Sequence, residues 1–242
     1  MAITIEELDD FRGEAAWRID TPAASYLLHR HSGGLAALFD GAGADWIGYS
    51  PEAGSAGEYR GIPNLGREGG GFHPGRGGCV STIRSAGADE VTIDVRSDDD
   101  TWRTRWRFTE TELRIVVEAT SHPYWFLYEG TPGGGYDEAR CIGTRSDGTT
   151  WRCSEKWEAR LPEPRRVAFR PEGYPYRLIL EDCTERGPGT TDSFWSMEGN
   201  MTVFGFGRLF DHKDARWMHL TETPAEFVVA VEYVPQETEG GV

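Results

Sequence analysis

Tyr59, Arg60, Asn64 and His73 lie close together in the chain and are the residue types that move protons beside a carboxylate. Histidine gives and takes protons near neutral pH. A tyrosine hydroxyl can hand a proton to a leaving oxygen. Arginine or asparagine neutralises a carboxylate and makes the adjacent C–H more acidic. Together these are the requirements of β-elimination from a uronic-acid sugar. The competing reading of His73, which precedes Pro74, is a loop residue held by backbone bonds.

The local charge points the same way. Residues 59–84 hold Arg60, Arg67, Arg76 and Arg84 against Glu68 alone, in a chain whose net charge is -15. A positive island on an acidic protein predicts an anionic sugar group, a carboxylate or sulfate, met by the planar guanidinium fork. The expected substrate-binding residues are Arg60, Asn64, Arg67 and Arg76, with Asp137 from a second loop. The alternative is that these arginines pair with acids across the fold.

A second cluster surrounds Glu129. In the run 124–129, Trp125, Leu127 and Glu129 share one face of a strand, and Tyr124, Phe126 and Tyr128 share the other. Glu129 ends an apolar row where the strand meets a glycine-rich loop, and partial burial there raises a carboxyl pKa as acid–base work requires. Asp137 and Glu138 return beyond the loop, and paired carboxylates are the arrangement of glycoside hydrolysis. The structural alternative for Glu129 is an acceptor for loop N–H groups. The expected catalytic residues are therefore His73, Tyr59 and Glu129. GTPGGG at 130–135 lacks the Lys-Ser/Thr of a phosphate loop. There is no G-x-S-x-G elbow and no H-E-x-x-H. Neither a metal nor a cofactor is implied.

The elements that must position these residues are strands. Alternation predicts them near 14–20, 24–31, 35–40, 45–49, 79–85, 90–96, 101–109, 112–119, 124–129, 149–157, 165–170, 176–182, 194–197, 201–208, 216–220 and 226–234. Only Ile5–Phe11 favours one or two turns of helix. The pattern predicts an all-β fold, a large antiparallel β-sandwich, as a single domain over 1–242 with a frayed tail after Pro235. Trp102, Trp106, Phe108, Ile115, Val117, Phe227, Val229 and Val231 are the expected core. Arg103, Arg105 and Arg107 form an opposite row that a hairpin sets beside Glu112 and Glu118. Residues 50–78 are too long for a plain connection and carry the bulky anchors Tyr59, Ile62, Leu65 and Phe72, which predicts a functional loop.

The charge argues against a nucleic-acid partner. No apolar run reaches the roughly 20 residues of a membrane helix. The acidic N-terminus lacks an export pattern, and Cys79, Cys141, Cys153 and Cys183 form no C-x-x-C pair, so they read as free thiols of a cytoplasmic protein.

Four blocks carry a resemblance: the run 21–50 from TPAASYLLHRH to DWIGYS, GEYRGIPNLG at 57–66, YWFLYEGTPGG at 124–134 and MTVFGFGR at 201–208. They resemble bacterial proteins with the galactose mutarotase-like β-supersandwich. That fold is shared by aldose 1-epimerases and by domains of polysaccharide lyases and glycosidases, and the resemblance implies a carbohydrate ligand on a concave sheet face. The His-x-x-x-Asn-Leu block of aldose epimerases is not found. The leading expectation is thus lyase-type chemistry on an acidic saccharide. The alternatives are an epimerase or glycosidase using Glu129 and His73, and a non-catalytic carbohydrate-binding module with aromatic platforms.

Overall fold

A computed structural model describes residues 2–53, 59–65, 72–187, 190–207, 209–211, 216–218 and 220–235. Two nine-stranded antiparallel sheets face each other. The first runs edge to edge as β1 (Thr4–Phe11), β2 (Glu14–Asp20), β3 (Ser25–His29), β4 (Leu35–Phe39), β5 (Gly61–Asn64), β10 (Phe126–Gly130), β17 (Met201–Phe206), β16 (Asp192–Met197) and β13 (Trp157–Ala159). The second runs as β12 (Thr150–Arg152), β11 (Cys141–Arg145), β14 (Arg165–Pro171), β15 (Tyr176–Asp182), β20 (Ala225–Tyr233), β9 (Leu113–Ala119), β8 (Arg103–Thr109), β7 (Glu90–Ser97) and β6 (Cys79–Ala86). A short pair, β18 (Leu209–Asp211) and β19 (Arg216–Met218), stands apart. Among the described residues no helix is long and apolar enough to cross a membrane.

The core is aromatic and forms where the inner faces meet. Phe126 of the first sheet stacks on Phe227 of the second with ring centroids 4.0 Å apart. Tyr26 meets Phe108 edge-on at 5.2 Å. All eight expected core residues are buried. Such offset and edge-on pairs add to the gain from area burial. On the other face of β8, Arg105 bridges Asp94 at 2.9 Å and Glu118 at 3.0 Å, and Arg107 pairs with Glu90. Arg105 and Arg107 are thus paired on a solvated face, whereas Glu112 pairs with Arg114 and not with the row. The four cysteines are free thiols.

Three expectations about elements are corrected. Ile5–Phe11 belongs to β1, not to a helix, because pairing with β2 satisfies its backbone along the sheet edge. Residues 45–49 form only an isolated bridge, Phe39 to Asp45, because Asp45 Oδ1 accepts the N–H groups of Leu38 and Ile47 and turns the chain. The 149–157 stretch is split: β12 joins the second sheet and Trp157 opens β13 of the first. Within the 50–78 loop, β5 inserts between β4 and β10 and completes the first sheet.

Candidate functional site

β10 is the sixth of the nine strands of the first sheet, and its two faces have different fates. Phe126 and Tyr128 point into the core. Leu127 packs instead with Met201 and Val203 in a separate cluster on the outer face, flanked by the partly buried Tyr59, Trp125, Trp195 and Met197. Glu129 has the parity of Leu127 and pairs with Val203 across the strands, so it stands on that outer face too. It is 7% exposed.

Asn64 reaches Glu129 through an irregularity in the ladder. Leu127 pairs with Asn64, but Glu129 pairs with Gly61, so β5 carries one residue more than β10 over this stretch. Asn64 Nδ2 donates to Glu129 Oε2 at 2.7 Å. His73 Nε2 lies 4.0 Å from the same oxygen. The segment with His73 and Pro74 crosses the outer face here because Gly61 and Gly34 leave room: a Cβ on Gly61 would stand 2.6 Å from Pro74 Cδ, and one on Gly34 2.5 Å.

The His73 ring is 2% exposed and has little freedom. Its Nδ1 lies 2.8 Å from Pro74 O and its Nε2 2.8 Å from Tyr59 O. Both nitrogens face backbone carbonyls; the neutral ring has one N–H and donates to one of them, and neither nitrogen is aimed at a ligand. The ring also meets Tyr59 at 6.3 Å and Tyr49 at 6.5 Å, and Tyr49 in turn meets the buried His29 at 5.3 Å. Arg60 turns to the rim, where Nη2 donates to Asn200 O at 3.0 Å and Nη1 to Gly48 O at 3.3 Å.

This arrangement of sheets has relatives among solved structures. A galactose mutarotase-like protein from Clostridium acetobutylicum superposes with a TM-score of 0.59 at 10% identity, covering 96% of this chain and 99% of that one. A galactose mutarotase related enzyme from Lactobacillus acidophilus gives 0.54 at 11% identity, covering 91% and 100%. The chain has a galactose mutarotase-like fold. No protein-family model matches the sequence, and no curated protein does.

On this mutarotase-like scaffold the expected site residues separate. Tyr59, Asn64, His73 and Glu129 come together on the outer face of the first sheet. Arg76 is exposed, with its guanidinium 5.7 Å from the centre of the Tyr59 ring. Asp137 is exposed and caps its own turn, accepting the Ala139 N–H at 3.0 Å. Arg84 of the positive island bridges Asp94 at 3.1 Å. Arg67 lies outside the described residues. The aromatic side chain that sequence reasoning missed is Trp195. Its signal was alternation, since Phe194 points to the core and Trp195 must then face out.

Burial pushes the His73 pKa down to about 4; Arg76 and His29 act in the same direction, and the two carbonyls oppose them. Unfolded histidine binds a proton below about 6.5. Between those values the unfolded chain holds more protons than the folded one. The contribution of His73 to stability is complete above pH 6.5 and is lost as pH falls toward 4, by roughly 3 kcal/mol. We expect the His73 ring resonances to stay unshifted between pH 7 and 5 while unfolding by urea becomes easier. A ring that titrates at 6 or above would overturn this.

Proposed function

We propose that the outer face of the first sheet binds a neutral sugar and interconverts its anomers, with Glu129 as the acid–base residue. The observation that carries this is one carboxylate, anchored by Asn64 and nearly buried, on a face that also presents Tyr59, Trp125 and Trp195. Aromatic rings supply apolar area to sugar C–H faces, and a held carboxylate supplies a directed base. Glu129 takes the proton of the anomeric hydroxyl as the bond from C1 to the ring oxygen breaks. The Tyr59 hydroxyl protonates that ring oxygen, giving the open-chain aldehyde. Rotation about C1–C2 and the reverse proton transfers close the ring on the other face. His73 acts as a positioning residue: its buried ring packs between the Tyr59 backbone and the Glu129 carboxylate.

The lyase kit finds less support. Arg60 and Asn64, which would neutralise a substrate carboxylate, are spent on carbonyls and on Glu129. A glycosidase needs a second carboxylate at a set distance, and Asp137 is spent on a turn. A binding module is the second reading, favoured by the same aromatic face. Freshly dissolved single anomers of common aldoses, followed by polarimetry and NMR exchange, test the proposal beside an ultraviolet assay on uronic polysaccharides. Faster anomer exchange supports it. Binding without faster exchange favours the module, and an unsaturated product restores the lyase.

A further inference from the structure

A cavity of about 640 Å³ opens at the end of the sandwich where β7 turns into β8. That size falls within the range of small-molecule sites, about 300–1,000 Å³. Arg76, Asp98, Asp99, Ser121 and His122 line it, with Trp102 at its base. The polar groups are held in place. Trp102 Nε1 donates to Ser121 Oγ at 2.8 Å, and the same Oγ lies 2.7 Å from His122 Nδ1. The His122 ring stands edge-on to the indole at 4.8 Å. Asp99 Oδ1 accepts the hydroxyls of Ser97 at 2.6 Å and Thr101 at 2.9 Å.

This cavity shares a wall with the Glu129 face. Phe72 lines it, and the next residue, His73, stands against Glu129. Arg76 lines it as well, with its guanidinium over the Tyr59 ring. The lining chemistry suits a hydroxyl-rich, uncharged ligand. Two carboxylates accept hydroxyl protons and repel an anion, a guanidinium donates in a fork, and a half-buried imidazole offers ring area. Resting on the sugar-binding reading above, we propose that this cavity is a second sugar subsite. The ligand is then a saccharide of two or more units whose reducing end lies at Glu129 and whose next unit passes Arg76.

Calorimetric titration of the full chain with D-glucose, D-galactose and D-mannose, and with their linear di- and trisaccharides, tests this. The trisaccharide of the preferred sugar should bind about tenfold tighter than its monosaccharide. Asp98→Ala and His122→Ala should each cut that gain below about threefold and leave monosaccharide affinity within about twofold. The two variants alter different side chains, and Asp98 is exposed, so misfolding of one leaves the other to report. Equal affinity for one and three units, or a gain that both variants retain, overturns the subsite and leaves the Glu129 reading standing. No binding of any sugar overturns both.

Discussion

Glu129→Gln lowers anomer exchange by about 10²–10⁴-fold, the usual range for loss of a general acid or base, and leaves the fold intact. The substitution keeps shape and volume. Asn64 Nδ2 now donates to Glu129 Oε2 at 2.7 Å, and the glutamine carbonyl oxygen can accept the same bond. What disappears is the capacity to take a proton. Because that interaction matters only as the ring bond breaks, kcat should fall with little change in KM. A melting temperature close to that of the parent chain would show that the loss is chemical. A variant that keeps more than about a tenth of the activity would place the base elsewhere. Asn64→Ala makes a useful contrast: the carboxylate survives but loses its anchor, so activity should fall less and KM should rise.

The strands were legible where burial imposes period two. Trp102, Trp106 and Phe108 alternate with arginines, of which Arg105 pairs with Asp94 and Glu118 and Arg107 with Glu90, and all three aromatics are buried. The Ile5–Phe11 edge was not legible, because its exposure repeats every third residue, in the manner of a helix, although it pairs as a strand. The site was legible by parity at Glu129 and opaque in its contacts. Nothing local to Arg60 says that its guanidinium meets a carbonyl at Asn200 on the β16–β17 turn. Nothing local to Gly61 says that Pro74 crosses above it. Composition announced a positive island, but charge count is blind to partners, and Arg84 was already taken by Asp94.

Arg165→Met should destabilise the chain by about 3–5 kcal/mol at pH 7, the scale for breaking a buried ion pair from one side. Arg165 on β14 of the second sheet pairs with Asp192 on β16 of the first, so one fully buried bridge spans the sandwich. It also faces Asp182 at 3.4 Å, which Arg186 clasps through two nitrogens at 2.8 and 3.1 Å. Asp192 accepts the N–H groups of Leu161 at 3.1 Å and Gly207 at 3.0 Å, which ties two chain turns to the same charge. Burial raises the Asp192 pKa, while Arg165 and the two N–H groups hold it down. Without Arg165 the pKa rises further. A carboxyl whose folded pKa lies above its unfolded value favours the folded state most below the unfolded pKa, and that contribution is lost as pH rises through the folded pKa. The deficit of Arg165→Met should therefore be largest near neutrality and shrink as the pH is lowered toward 4. At pH 7 a fall of roughly 6–20 °C in melting temperature is expected, at about 2–4 °C per kcal/mol for a chain of this size. Adding Asp192→Asn should recover part of the loss at pH 7, because the orphaned charge goes while an oxygen still accepts a backbone N–H. A deficit independent of pH, untouched by Asp192→Asn, would mean that Arg165 matters for its volume and not for its charge.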